Sequence, residues 1–282
     1  MSRNNQERLG APKSAAPAPP IAQAGESFSF ATPTEFVDLP TGGKYYPEGH
    51  PLHGQDSVEI RYMTAKDEDI LSSKTLLQKG VALDRLIQSV LIDKTIDINS
   101  LYVGDKNAIL IAARVTGYGE TYEAKTTCPA CTSNMDFAYD LSKVGVKRGD
   151  KWADYAIRKH TDDRFIVTLP HTKVEVEVRL LTSRDEDYLS ELRENKKKRK
   201  LPESNLTDQL RMIVCSVNGH SDPKSLQAFV DGLPARDSRY LRTAYELIVP
   251  NVDMTQEFSC ASCGHTQEVT VPLTAGFFWP DR

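Results

Sequence analysis

Fifteen residues, Val58–Ser72 ("VEIRYMTAKDEDILS"), return later in the chain as Val176–Ser190 ("VEVRLLTSRDEDYLS"), with nine positions identical. Two unrelated segments of this length share about one identity at ordinary residue usage. The correspondence then continues: Cys128 and Cys131 in "TTCPACTSNMDFAYDL" align with Cys260 and Cys263 in "FSCASCGHTQEVTVPL". Beyond them Asp136 meets Glu268 and Leu141 meets Leu273. The first landmarks lie 118 residues apart and the cysteines 132, so the second copy holds about fourteen extra residues. These are expected in the polar stretch "RENKKKRKLPESN" and the loop "NGHSDPKS". Self-similarity at a fixed offset constrains a fold more than any single residue does. The expected class is α+β, an internally duplicated strand–helix unit in which each copy ends in a Cys-x-x-Cys hairpin.

The periods fill in the unit. "SVEIRYM" and "KVEVEVRLL" alternate charged and apolar residues, as half-buried strands do, and "RFIVTLPHTKVEVEVRLL" reads as a hairpin turning at Pro170-His171. Behind each strand, "LLQKGVALDRLIQSVLI" and "LTDQLRMIVCSVNG" place apolar residues at helical spacings. A further helix is expected in "GDKNAILIAARVTGYG", with Asp105 as N-cap and Gly117 as stop; its counterpart is "ARDSRYLRTAYELIVP". The domain boundaries follow: an Ala/Pro-rich arm over 1–34, a first unit over 35–145, a second over 146–275, and an aromatic tail over 276–282. The arm is expected to be flexible. Its last part, "ESFSFATPTEFVDLP", is also open to the reading of a segment ordered against a partner. The tail residues Phe277, Phe278 and Trp279 either pack back on the body or dock on another protein.

The doubled carboxylates invite a catalytic reading, but their spacing supplies a structural one. Thr64 precedes Asp67 by three residues and Thr182 precedes Asp185 by three, which is the capping-box interval. Glu68, Asp69 and their counterparts then sit at the positive end of a helix, worth roughly 0.3–1 kcal/mol each. The phrase repeats because a strand-to-helix corner repeats.

The cysteines carry the sharper chemistry. Four of the five fall in two Cys-x-x-Cys pairs flanked by strand-like sequence, the arrangement by which a knuckle grips one side of a tetrahedral ion. Cys128, Cys131, Cys260 and Cys263 are thus expected to hold one structural Zn²⁺ in a zinc-ribbon-like site joining the copies. Disulfides or metal-free knuckles stay open, although a reducing cytoplasm disfavours the first. Four thiolates leave no open position for water, so such a zinc is not catalytic. His265 is the one nearby competing ligand and reads as a surface residue; Cys215 reads as core.

Other features exclude more than they assign. A net charge of −4 gives no basic face for nucleic acid or an anionic membrane. The longest apolar run, "AILIAA", is far too short to span a bilayer, and "MSRNNQERLG" does not open a signal peptide. The chain reads as a soluble protein made in the cytoplasm. "HPLH" (His50, His53) reads as a turn rather than a metal site, and "KKKRK" (Lys196–Lys200) as a solvated loop or helix end. No nucleophile–base signature occurs, and the chain is read as a non-enzyme.

"LPTGGKYYPEGHPLHG", "VEIRYMTAKDEDIL", "LLQKGVALDRLIQSVL", "GDKNAILIAARVTGYGETYE" and "CPAC" occur in this order. Together they resemble the baseplate hub protein family of T-even-type contractile-tailed phages, most closely over residues 35–141. The resemblance implies a small structural subunit of the central baseplate, without catalysis, that acts through protein–protein contacts in tail assembly. Its partners would be other baseplate, hub, spike or tail-tube proteins, and its place the virion tail after assembly in the host cytoplasm. An assembly chaperone that leaves before the virion is complete is the alternative. From other classes, a zinc-dependent enzyme would need an incompletely liganded metal, and a nucleic-acid-binding zinc ribbon would need a basic face.

Overall fold

The computed structural model describes residues 31–271 and 277–278, with Gln78 described by its backbone alone. The expected arm, up to Phe30, lies outside them, as does Trp279; the unit treated below is Pro33–Arg282. The architecture is mixed α+β with small antiparallel sheets.

β1 (Thr34–Asp38) and β2 (Ser57–Arg61) form the first ribbon. The alternation in "SVEIR" sends Val58 and Ile60 to the core, at 5% and 0% exposure. Next come α1 (Ala65–Ser72), α2 (Lys74–Gln78), α3 (Ala82–Val90) and α4 (Val103–Tyr118). Gly80, at φ +71°, breaks the helical run between α2 and α3. β3 (Thr121–Thr127) and β4 (Asn134–Asp140) make the first cysteine hairpin. β5 (Gly145–Lys147) leads into the second half, whose four-stranded sheet runs β6 (Ile157–Lys159), β7 (Arg164–Thr168), β8 (Glu175–Arg179) and β9 (Val214–Val217). Between β8 and β9 lie α5 (Ser183–Lys198) and α6 (Asn205–Ile213); after β9 come α7 (Pro223–Gly232) and α8 (Ala235–Ile248). β10 (Asn251–Asp253) pairs back on β5, and β11 (Thr255–Ser259) with β12 (Thr266–Thr270) makes the second cysteine hairpin.

Three elements differ from expectation. The helical stretch in "LTDQLRMIVCSVNG" ends at Ile213 and becomes β9, because Val214 and its neighbours pair with β8. "NGHSDPKS" is no loop throughout: Asp222 accepts from the Ser225 N–H at 2.9 Å and caps α7. The extra polar residues of "RENKKKRKLPESN" mainly lengthen α5 to 16 residues against the 8 of α1.

Corresponding contacts recur along the chain. Arg61 grips Asp67 at 2.7 and 3.0 Å, and Arg179 grips Asp185 at 2.8 and 2.8 Å. Both capping boxes form, with the N–H of Thr64 and of Thr182 donating to the carboxylate at 2.8 and 2.9 Å. The two cysteine hairpins share one register: Glu123 faces Ala138 as Thr255 faces Thr270.

Asp105 is not the N-cap of α4. It lies inside the first turn, fully buried, and accepts from the N–H and hydroxyl of Thr41 (3.0 and 2.6 Å) and from the Tyr46 hydroxyl (2.7 Å). Asp237, on α8, likewise accepts from the N–H groups of His171 and Thr172 and from the Thr172 hydroxyl. In both cases a helix-borne carboxylate holds down the loop that follows a Leu-Pro pair. The donors come from far in the sequence, so the carboxylate is used for tertiary anchoring rather than for its own helix end.

One apolar core runs through both halves, including Ile60, Leu86, Ile109, Val167, Val178, Leu241 and Ile248. The seam is also polar. Val103 N–H donates to Leu181 O and Ser183 N–H to Leu101 O, at 3.2 and 2.7 Å. Beside them Lys106, 6% exposed, donates to Ser183 Oγ at 2.8 Å and meets Asp84, Glu186 and Asp187 at 2.9, 3.6 and 3.9 Å. Burial alone would lower the Lys106 pKa; the carboxylates, Asp84 first, raise it instead. Glu186 and Asp187 thus do more than complement a helix dipole.

Burial works against the charge on Asp67, but bonds from Arg61, Ser89 and Thr64 hold its pKa at about 2. A depressed carboxylate stabilises the fold above its unfolded value and loses that contribution as pH falls through the folded value, so the window here is about pH 4 down to 2. The shift is worth roughly 2 kcal/mol. Asp67→Asn should therefore cost about 2 kcal/mol in urea unfolding at pH 7 and flatten the stability curve over that window. Exposed Asp69→Asn should stay within about 0.5 kcal/mol.

Candidate metal centre

Each cysteine hairpin turns through the same knuckle. Cys128 N–H donates to Ser133 O and Thr132 N–H returns to Cys128 O, at 2.9 and 2.8 Å. In the second hairpin Cys260 N–H donates to His265 O and Gly264 N–H returns to Cys260 O, again at 2.9 and 2.8 Å. Both turns need a left-handed residue: Thr132 at φ +56° in one, Gly264 at φ +71° in the other.

The hairpins stand against each other. Phe137 of β4 meets Phe258 of β11 edge-to-face at 5.1 Å, and Gln256 bonds both the N–H and the C=O of Asp140. Cys128, Phe258 and Cys260 form a small buried cluster at this end. The four sulfurs of Cys128, Cys131, Cys260 and Cys263 lie within 4.8 Å of one another. The short separations cross between hairpins, Cys128 to Cys263 at 3.8 Å and Cys131 to Cys260 at 3.7 Å. A tetrahedral ion with Zn–S bonds of about 2.3 Å sets neighbouring sulfurs about 3.8 Å apart. The thiols therefore fit that ion's geometry, and all five cysteines of the chain are free.

The thiols are also electrostatically uneven. Burial opposes charge on Cys260, yet the N–H groups of Cys263 and Ser262 and the Ser133 hydroxyl pull it down to about 6. The Ser133 hydroxyl, then its N–H, lowers Cys131. Cys263 is pushed up to about 12: the His265 N–H favours its thiolate, but the neighbouring thiols, led by Cys131, outweigh it. Four thiolates this close repel, and a cation at their centre removes the conflict.

The remaining candidates separate from this centre. His265 faces Gln267 through Nε2 at 3.4 Å. Cys215 lies half-buried in β9, its thiol pushed up by burial. His50 stacks on Tyr46 at 4.4 Å and bonds Ser100, while His53 bonds Tyr46 O, so "HPLH" is spent on its own turn. In the basic run Lys196 is tied to Asp208 and Ser204 at the start of α6.

A family model described as T4 bacteriophage base plate protein matches residues 32–279. The chain belongs to that family. No curated protein and no solved structure matches it. Membership makes this a phage baseplate protein and implies a virion-tail location. Among the described residues of this baseplate protein, no helix is long and apolar enough to cross a membrane.

Of the expected aromatic tail, the two described residues pack on the body. Phe277 and Phe278 are 2% and 5% exposed, and Phe277 packs on Tyr122 at 5.1 Å. Arg114 is buried at 2% exposure. It donates to the carbonyls of Phe277, Gly119 and Thr121, and lies over the rings of Tyr118 and Phe277. The sequence shows a run of aromatics, but only the fold supplies the buried cation that Phe277 covers. Phe277→Ala should lower unfolding stability by about 3 kcal/mol, as a buried Phe truncation does, with Arg114 left partly uncovered.

Proposed function

We propose that this chain is a structural subunit of the baseplate hub region that works by protein–protein contacts and not by catalysis. In this reading two copies of one strand–helix unit, closed by Cys-x-x-Cys hairpins, are joined by one structural Zn²⁺ on Cys128, Cys131, Cys260 and Cys263. The observation that carries it is the sulfur geometry: separations of 3.7 and 3.8 Å between two hairpins of a baseplate family member. Filling all four positions with thiolates leaves the metal no site for substrate or water. The recurring Arg–Asp corners, the two buried helix aspartates and the shared hairpin register support the duplication. A cavity of about 460 Å³ lies elsewhere, between β5 and α8, and its walls carry neither His nor Cys.

When bound, the zinc would supply a cross-link between chain segments over a hundred residues apart. The protein's own part is to hold four sulfurs at the right spacing and to keep Cys128 and Cys260 dry. Elemental analysis of purified protein should find about one zinc per chain. Cys128→Ser and Cys260→Ser should lose it equally, because each removes one ligand of the same ion. Chelation should loosen the hairpins while far-UV circular dichroism keeps most of the helix signal. Zinc-free protein, or two ions per chain, would overturn the shared site.

The hub assignment has its own test. Size-exclusion chromatography with purified hub and spike proteins should give a stable complex, and mass spectrometry of purified virions should detect the chain. A complex without retention in virions would replace the subunit reading with an assembly chaperone.

A further inference from the structure

In the second half, β7 is not an edge strand. β6 lies along it, with Ile157, Arg158 and Lys159 opposite Val167, Ile166 and Phe165. Thr168 N–H donates to Ala156 O and His160 N–H to Arg164 O, each at 2.9 Å. Arg164, Ile166 and Thr168 therefore aim their backbone groups at β6.

β1 holds the corresponding place in the first half. It pairs with β2 as β7 pairs with β8, and it runs into the same Leu-Pro, with Leu39 and Leu169 both 0% exposed. Leu39 N–H donates to Asp56 O and Tyr62 N–H to Pro33 O, which turns residues 33, 35, 37 and 39 toward β2. Thr34, Phe36 and Asp38 then aim outward. Among the described residues no strand pairs there, and the Phe36 ring is 72% exposed.

The charges differ between the two sheets in a way that bears on the occupant. On the covered sheet, Glu175 meets Arg158 of β6 at 3.0 Å and Glu177 meets Arg164 at 3.4 Å. On the open sheet, Glu59 stands opposite Phe36 and Asp38 lies on the same face of β1, while Glu35 alternates to the Val37 face. No described cation pairs with any of the three. The edge is thus apolar at Phe36 and acidic around it.

We propose that the outer edge of β1 takes one added antiparallel strand from a partner protein, an extended segment of basic and apolar residues. β6 supplies such a segment within the chain to β7. Backbone hydrogen bonds would give the affinity, while the exposed ring and the acids would select the sequence. A second copy of β1 is the poorer occupant, because it would bring its own Glu35 and Asp38 against the same acids. The proposal deepens the reading of an interaction subunit, but it depends neither on the metal nor on the place in the virion.

The test uses the full-length protein and a fluorescein-labelled synthetic peptide with the sequence Tyr155–Thr161 as the probe for a basic–apolar strand. Saturable anisotropy is expected. Phe36→Pro removes an outward N–H that no strand of the body uses, so it should keep the far-UV spectrum while weakening binding at least about tenfold. A peptide carrying Arg158→Glu and Lys159→Glu should bind at least about tenfold more weakly to the wild type. Hydrogen exchange needs no variant: the amides of Thr34, Phe36 and Asp38 should exchange fast in free protein and slow when peptide is added. Absent binding, equal binding by the Pro variant, or equal binding by the reversed peptide would overturn the proposal. So would slow exchange in the free monomer, which would mean the chain covers its own edge. A concentration-dependent dimer abolished by Phe36→Pro would assign the edge to a second copy instead.

Discussion

A carboxylate leaves water at a cost of several kcal/mol unless donors or cations meet it inside the protein. Asp67, Asp105 and Asp237 are each 0% exposed, and most of the architecture hangs on how they are met. Asp67 binds one arginine and the first turn of α1, which fixes the angle between β2 and the helices behind it. Asp105 and Asp237 each hold a Leu-Pro loop against a long helix. Because most of these donors are backbone N–H groups and threonine hydroxyls, the loops have little freedom once the helices are in place. The apolar core supplies the bulk of the driving force, but its side chains alone would accept several loop paths. The buried aspartates select one.

The halves meet by two different means. Near β2 and β8 the seam is packed and hydrogen-bonded, with Lys106 drawing carboxylates from both halves. At the cysteine end there is less apolar surface, and Phe258 with its few neighbours forms a cluster apart. Four thiols at zinc-like spacing stand beside that small cluster. Arg114 shows a third solution, a buried cation met by carbonyls and rings with Phe277 packed over it. The buried seam and the covered Arg114 both tie together segments that are distant in the sequence.

Likeness between the halves is also where they part in use. α5 is twice the length of α1, and Lys106 stands where α8 carries Ser238. β7 is covered by β6, whereas β1 leaves Phe36 in solvent. The corresponding segments thus differ in what they expose.

Much of this was written in the residues. The repeated phrase marked both corners because a Thr and an Asp three apart can bond only locally, and the Cys-x-x-Cys pairs marked two knuckles for the same reason. The repeated Arg61 and Arg179 were visible too, but whether they reach Asp67 and Asp185 depends on the strand ending beside the helix. Asp105 looked like a cap because a short carboxylate before an apolar run usually is one. Its true donors, Thr41 and Tyr46, lie about sixty residues away. "MIVCSV" fits a helix and a strand equally well, and only pairing with β8 decided for the strand. Local spacing therefore determined the corners, the knuckles and the doubling of the pattern, since these rest on bonds within a few residues. Tertiary structure alone decided that four sulfurs come together, that Phe277 covers Arg114 and that, among the described residues, β1 keeps an unpaired edge. Each of those depends on which distant segment arrives, and no local period records that.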